Sequence, residues 1–332
     1  MTASTAPLHI VGRRPVVAPQ QLVAALVPPA HFAEATLASY RPDPAFASQA
    51  QALEIVSDFA ATVRRRRDRR GARRTAGTGL YLDGGFGVGK THLLAAVAHA
   101  VGDGVAFGTF VQYTQLVGAW GFVQARDALT DFAVVCIDEF ELDDPGDTLI
   151  MARLMRELTD AGTCLVATSN TLPESLGEGR FAAADFRREI QAVASVFTTV
   201  SIDGPDYRHR GELEFVHSDE ADLAAVAHAT GGVVERWDAL VTDLAQVHPS
   251  RYGAYVEGVR VLGLSDVTQV SDHNTALRVV TFVDRLYDND VRVVATGLDL
   301  GDVFAPPMLR SGYRKKYLRA LSRLAAMTAF RV

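Results

Sequence analysis

The sequence predicts an α/β protein whose parallel sheet is covered by helices on both faces. Over residues 79–202, short apolar runs ("GLYL", "VAFGTFV", "DFAVVCI", "TCLVAT", "VFTTVSI") alternate with stretches whose apolar residues recur at helical spacing. A glycine-rich loop joins the first run to the first helical stretch, and two adjacent acids follow the third run. In sheets of this kind ligands gather at the carboxyl ends of the strands, where both features emerge.

Taken in order, residues 1–30 are rich in Pro, Ala and Val without periodicity and read as a loose lead-in. Residues 31–78 read as helices on both sides of a break at Pro42 and Pro44, followed by an arginine-rich linker. Residues 79–210 form the α/β core. Here "THLLAAVAHAV" is a helix, "VAFGTFV" a strand, "YTQLVGAWGFVQA" one helix despite its glycines, and Thr148–Thr159 a helix before the strand "TCLVATSN". A helix near Asp185–Ser195 leads to the last core strand. Residues 211–332 form a second region. Shifting the chain by 128 places lays "DEFELDDPGDTLIMARLMRELTDAGTCLVAT" on "DVTQVSDHNTALRVVTFVDRLYDNDVRVVAT" with eight identities in 31 positions. Duplication and convergence both predict a strand–helix–strand unit near 259–296, with convergence favoured. That copy has only Asp266-Val267 where the first has two acids, so it is expected not to hydrolyse nucleotide.

The chain has 332 residues, 48% of them hydrophobic, which is enough for one large or two modest cores. No run approaches eighteen apolar residues and the N-terminus lacks the pattern of a signal peptide, so a cytoplasmic protein is expected. Cys136 and Cys164 both lie in apolar strand-like runs and read as reduced core residues.

The loop "GGFGVGKT" fits the phosphate-cradle pattern, with Gly84, Gly89, Lys90 and Thr91 in its fixed places. Backbone N–H groups of Gly85 to Thr91 would line a nest at a helix N-terminus, and Gly84, Gly85, Phe86, Gly87, Val88, Gly89, Lys90, Thr91 and His92 are the candidate nucleotide-binding residues of the loop. Lys90 would reach the β- and γ-phosphates, and the Thr91 hydroxyl would bind Mg²⁺. Asp83 reads as a strand-end or loop-shaping residue. Asp138 and Glu139 follow Lys90 by 48 residues or more. Two adjacent acids divide the work: Asp138 holds the Mg²⁺ shell with Thr91, and Glu139 orients and deprotonates water. No guanine-reading signature is present, so ATP is the expected nucleotide. Asn170 ends the next strand and either meets the γ-phosphate or its water, or closes an Asx-type turn before Pro173; Thr168 and Ser169 are weaker candidates. Arg180, Arg187 and Arg188 are the candidates for an arginine supplied to a neighbouring subunit's nucleotide, Arg180 slightly ahead. Arg319 and Arg323 lie four apart near the C-terminus, and Arg323 either reaches nucleotide from a lid or is solvated.

Net charge is −6, which argues against nucleic-acid binding by the whole molecule. Eight arginines between Arg64 and Arg74 are the exception. They read as a solvated helix end, a membrane-surface or partner contact, or, least favoured, a nucleic-acid contact.

The segments "SYRPDP" at Ser39, "GLYLDGGFGVGKTHL", "IDEFELDDPGDTLIMARLM", "LVATSNTLPESL", "DYRHR", "TALRVVTFVDRLYD" and "SRLAAM" ending at Met327 resemble the ZapE-type cell-division ATPases of bacteria and their mitochondrial AFG-type relatives. These belong to the AAA+ class of P-loop proteins. The resemblance implies a P-loop NTPase sheet of order 5-1-4-3-2, a family-specific C-terminal α/β region, and a homo-oligomer, in the family a hexameric ring. It implies Lys90 and Thr91 as Walker A residues, Asp138 and Glu139 as the Walker B pair, and Asn170 as the sensor. A division-site or other protein partner is expected too, with localisation in the cytoplasm, at the division site or at the inner face of the membrane, the last through the Arg64–Arg74 run. His92 stands where many members have methionine, and "VAFGTFVQYTQLVGAWGF" replaces a histidine-rich segment. The expected function is ATP hydrolysis coupled to remodelling of a protein partner; the alternatives are a DNA-linked helicase-loader-like ATPase, or an ATP-binding scaffold with little turnover.

Overall fold

The computed structural model describes residues 9–68, 75–85, 87–141, 145–172, 187–204 and 214–328. The chain divides into two compact units, one of Ala18–Arg210 and the other of Met1–Val17 with Gly211–Val332.

The first unit opens with α1 (Pro19–Ala24) and α2 (Ala47–Asp68), then β1 (Gly79–Gly84), α3 (Lys90–Val101), β2 (Val105–Thr109), α4 (Phe110–Trp120), α5 (Phe122–Thr130), β3 (Val134–Asp138), α6 (Pro145–Asp160), β4 (Cys164–Ser169), α7 (Arg187–Ala194) and β5 (Phe197–Ile202). All strand pairs are parallel, in the order β2-β3-β4-β1-β5. Read from the other edge this is 5-1-4-3-2, the order the resemblance implies. Burial on both faces explains the continuous apolar runs. Successive strand residues go to opposite faces: Leu80, Leu82, Val134, Cys136 and Val166 pack with α2 and α3. Tyr81, Val135, Ile137, Leu165 and Ala167 pack with α4, α5 and α6. Both cysteines are free and buried, and burial, followed by the nearby Asp138 charge, pushes the Cys136 thiol well above its ordinary range.

Three elements depart from the expectation. The segment before Pro42 is not an α-helix but a 3-10 turn, Ala30–Phe32, followed by turns. Ser39 and Thr36 exchange side-chain bonds with each other's backbone, at 2.8 Å from Thr36 N–H and 3.0 Å from Ser39 N–H, and this local pairing competes with helix. The single helix expected over "YTQLVGAWGFVQA" breaks at Gly121, which takes φ +88° between α4 and α5. The lead-in is also more ordered than expected: Ile10 is fully buried, and Leu26 is buried in the core of the first unit, its carbonyl accepting the N–H of Phe107 on the edge strand β2.

The second unit contains α8 (Glu220–His228), β6 (Gly232–Arg236), α9 (Trp237–Leu244), α10 (Tyr252–Tyr255), β7 (Val261–Val267), α11 (His273–Asp288), β8 (Arg292–Gly297) and α12 (Arg314–Thr328). Its three strands are parallel in the order β6-β7-β8. The 128-residue shift carries α6 onto α11 and β4 onto β8 with identical bounds. Asp266 is exposed at φ +56°.

Among the described residues no helix is long and apolar enough to cross a membrane.

Candidate nucleotide site

β1 is the fourth of five strands in the first sheet, and its carboxyl end runs directly into the glycine loop. Two glycines there cannot be replaced without moving backbone or a packed ring. A Cβ on Gly84 would stand 2.3 Å from the Ile202 carbonyl oxygen of β5. Gly89 sits at φ +89° as the N-cap of α3, and its Cβ would stand 2.6 Å from the Tyr40 ring. The loop is thereby pressed between β5 and Tyr40 while the first turn of α3, whose N–H groups lack intrahelical acceptors, opens toward it.

Lys90 is only 8% exposed. Its ammonium donates to the carbonyls of Gly84 at 2.7 Å and Gly85 at 2.5 Å and to Asn170 Oδ1 at 2.8 Å. This brings the tip of β4 to the loop. The Thr91 hydroxyl donates to the Asp138 carboxylate, 3.1 Å from Oδ1 and 3.2 Å from Oδ2. A cavity of about 440 Å³ beside the loop is lined by Gly84, Gly85, Asn170, Asp83, Ser201 and Asp203, among others. Four of the expected residues, Lys90, Thr91, Asp138 and Asn170, are therefore joined by hydrogen bonds although they come from three separate segments.

Glu139 takes φ +54°, a left-handed conformation that is costly for a side chain with Cβ. Thr168 holds it there. Its hydroxyl accepts from the Glu139 N–H at 3.1 Å and donates in a short bond to Asp138 Oδ1, while the Thr168 carbonyl accepts from Phe140 N–H at 2.7 Å. Phe140 is fully buried and anchors the turn from below. Thr168, ranked low from the sequence, is thus the residue that positions both acids. The parallel register of Ile137 with Ala167 puts it beside Asp138, and that register was the missing signal. Thr168→Val should lower turnover roughly 10–100-fold, as loss of an outer-shell partner does, with ATP affinity little changed in a binding titration.

Tyr40 is a second residue missed in the sequence. Its hydroxyl donates to the Val88 carbonyl at 3.0 Å and it is 8% exposed. His92, expected at the nucleotide, turns its ring the other way: Nε2 lies 3.0 Å from Ser39 Oγ and 3.1 Å from the Thr36 carbonyl, and the ring tilts against Tyr40. Its side chain fastens the Thr36–Tyr40 segment to α3, leaving only its backbone for the nest. Val88 likewise buries its side chain. Tyr40→Phe should weaken ATP binding roughly two- to tenfold, the 0.5–1.5 kcal/mol of one neutral hydrogen bond, through a less well-shaped loop. Fluorescent-nucleotide titration reads this directly.

Other expected residues fall elsewhere. Phe86 and Arg180 lie outside the described residues, as does the Arg187 side chain; Arg188 is exposed on α7. Arg323 is half-buried on α12. Its guanidinium pairs with Asp284 and lies 5.2 Å over the Tyr287 ring, within the second unit. In the arginine run, Arg66 donates to the Ala76 carbonyl at 3.0 Å and Arg67 to those of Val101 and Asp103, so these two fasten the end of α2 to the first unit. Arg64 and Arg65 are exposed; the rest of the run lies outside the described residues.

A family model for AFG1-like ATPases matches residues 16–221 and 212–332. The chain belongs to the AFG1-like ATPase family. Among relatives of this AFG1-like chain, the cell division protein ZapE of Escherichia coli (strain K12) is 31% identical over 144 residues, covering 40% of this chain and 38% of ZapE. Lactation elevated protein 1 homolog B of Danio rerio is 26% identical over 213 residues, covering 52% and 42%. The matches thus span less than half of either relative. A solved DnaC helicase loader is 18% identical with a TM-score of 0.37, covering 52% of this chain and 99% of that one.

The AFG1-like assignment implies nucleotide binding, and the donor set fits it. Oxygen ligands, the Thr91 hydroxyl and the Asp138 carboxylate, suit a hard cation such as Mg²⁺. Among the described residues no cluster of three or more His, Cys, Asp or Glu side chains is arranged for a metal. A cation here would accordingly share its shell with phosphate oxygens and water, as Mg²⁺ does in phosphoryl-transfer sites.

Proposed function

We propose that this AFG1-like protein hydrolyses ATP in a Mg²⁺-dependent reaction at the β1–α3 loop. The observation that carries the reading is the convergence of Lys90, Thr91, Asp138 and Asn170 at one loop, with Glu139 beside them. Lys90 and the loop N–H groups neutralise phosphate charge; Thr91 and Asp138 hold the cation, which stabilises charge on the phosphate oxygens when bound. Glu139 orients the attacking water and takes its proton, while Asn170 fixes the position of the Lys90 ammonium near the γ-phosphate. We assign the protein to a homo-oligomer in which Arg180, Arg187 or Arg188 completes a neighbour's site, and hydrolysis to remodelling of a protein partner. The ZapE match supports bacterial cell division as the setting. The bonds that tie Arg66 and Arg67 to backbone carbonyls, with the net charge of −6, weigh against the DNA-linked alternative.

The test is ATP turnover per subunit as protein concentration rises, with Glu139→Gln as the blank. A steep rise is expected if subunits complete one another's sites. Turnover per subunit that is substantial and independent of concentration would remove the oligomeric part of the proposal; bound ATP with no turnover at any concentration would favour the scaffold alternative.

A further inference from the structure

The N-terminal residues His9–Arg14, "HIVGRR", meet the second unit through an unusual concentration of polar contacts. The N–H groups of Ile10 and Val11 donate to Glu235 Oε1 at 2.7 and 3.1 Å, and the N–H of Gly12 donates to Asp243 Oδ2 at 3.0 Å. Arg14 adds a two-pronged bond to Asp243, 2.7 Å to Oδ1 and 3.0 Å to Oδ2, and Arg13 donates to the carbonyls of Tyr255 and Glu257 at 2.9 and 3.0 Å. Ile10 is wholly buried among apolar residues of this unit. The segment is a preformed clip: Arg13 N–H bonds back to the Ile10 carbonyl at 3.0 Å with Gly12 at φ +87°, the geometry of a type II turn. Its three N–H groups converge on carboxylates, as a backbone nest converges on an anion.

The receiving side is built for such a ligand. Glu235 and Asp243 are each 7% exposed, and a buried carboxylate needs donors. Tyr255 supplies one to Asp243 at 2.7 Å; the rest of those described here come from the clip. Burial alone would raise the Asp243 carboxyl, but the bonds from Arg14, Tyr255 and Gly12 hold it below its usual range. Glu235 stands at the carboxyl end of β6, and Asp243 lies in α9, which begins at the next residue after that strand. The carboxyl ends of strands are where open α/β sheets bind ligands. After the clip the chain runs through Pro15 and the exposed Val16 before joining the first unit at Ala18.

We infer that the second unit carries a recognition site for a basic turn peptide of the form Ile-Val-Gly-Arg-Arg, which the chain's own residues 9–14 fill in cis as a releasable strap. Site and ligand are complementary in charge, shape and backbone polarity. The inference stands apart from ATP chemistry, since none of its residues belongs to the nucleotide site.

A labelled synthetic peptide of residues 8–17 is titrated into the full chain carrying Ile10→Asp and Arg14→Glu, which disable the strap. The peptide should bind. Binding should weaken about 10–100-fold when Arg14 of the peptide is Ala, the value of a charge-assisted bond, and similarly when Asp243→Asn is added to the protein. The unaltered chain should bind it at least about tenfold more weakly, because its own strap competes for the site intramolecularly. If the double variant does not fold, hydrogen exchange on Arg14→Ala gives the second reading. The amides of Ile10, Val11 and Gly12 should exchange faster while those of α9 and α11 keep their protection. A folded strap-disabled chain that ignores the peptide would overturn the inference. So would Arg14→Ala exchange that is unchanged at the clip, or raised throughout the second unit, which would make residues 9–14 an integral part of that fold.

Discussion

Glu139→Gln should bind ATP as the parent protein does and turn it over about 10²–10⁴-fold more slowly, the usual contribution of a positioned general base. The amide keeps the size of the side chain, and the backbone contacts that set the turn do not involve the carboxylate: Glu139 N–H on Thr168 and Phe140 N–H on the Thr168 carbonyl. Its φ of +54° is held by those bonds and by buried Phe140. Loss of turnover with retained binding would therefore read out proton transfer and water orientation, not a collapsed loop. Parallel nucleotide titration and ADP release separate the two. Turnover within a few-fold of the parent would remove Glu139 from the reaction.

Asp284→Asn should destabilise the second unit by about 3–5 kcal/mol, the cost of removing one partner from a buried charge cluster. Asp284 on α11 accepts from Arg319 at 2.8 Å and pairs with Arg323, both on α12, so the neutral amide leaves two mostly buried guanidinium groups without their counter-charge. Burial alone would raise the carboxyl, but the charges of Arg319 and Arg323, the Arg319 hydrogen bond and the more distant Arg285 hold it well below the usual carboxylate range. A depressed folded value contributes stability that is fully present above the unfolded value, about 4, and is lost as pH falls through the folded value. The parent's stability should thus fall more steeply than that of Asp284→Asn below about pH 4, and not differ in slope near neutrality. Urea unfolding followed across this pH range tests both statements; equal stability of the two proteins at neutral pH would show the cluster to be dispensable.

Much of the nucleotide site was legible because its chemistry is local in sequence. The loop needs Gly84 and Gly89 for close approach and backbone conformation, and strand tips in a parallel sheet must deliver Asp138 and Asn170 to one edge. The strand–helix–strand unit of residues 261–297 was legible from periodicity as well. What escaped depends on pairings between distant segments. Thr168 matters because of strand register, Tyr40 because a turn 48 residues before Val88 folds over the loop, and Arg323 because Asp284 lies one helix away. The lead-in showed no periodicity because its order comes from Glu235 and Asp243, more than 220 residues distant. Thr36 to Ser39 looked helical by spacing, but side chains that bond their own backbone override a pattern of apolar positions.

The most direct measurement is ADP formation by the purified full chain in Mg²⁺, set beside Lys90→Ala and a sample with the cation chelated. The expected result is Mg²⁺-dependent ADP release by the parent, with neither ATP binding nor release by Lys90→Ala, whose ammonium sits against Gly84, Gly85 and Asn170. Undiminished hydrolysis in Lys90→Ala, or a folded parent chain that binds no ATP, would contradict the assignment of this loop as the nucleotide site.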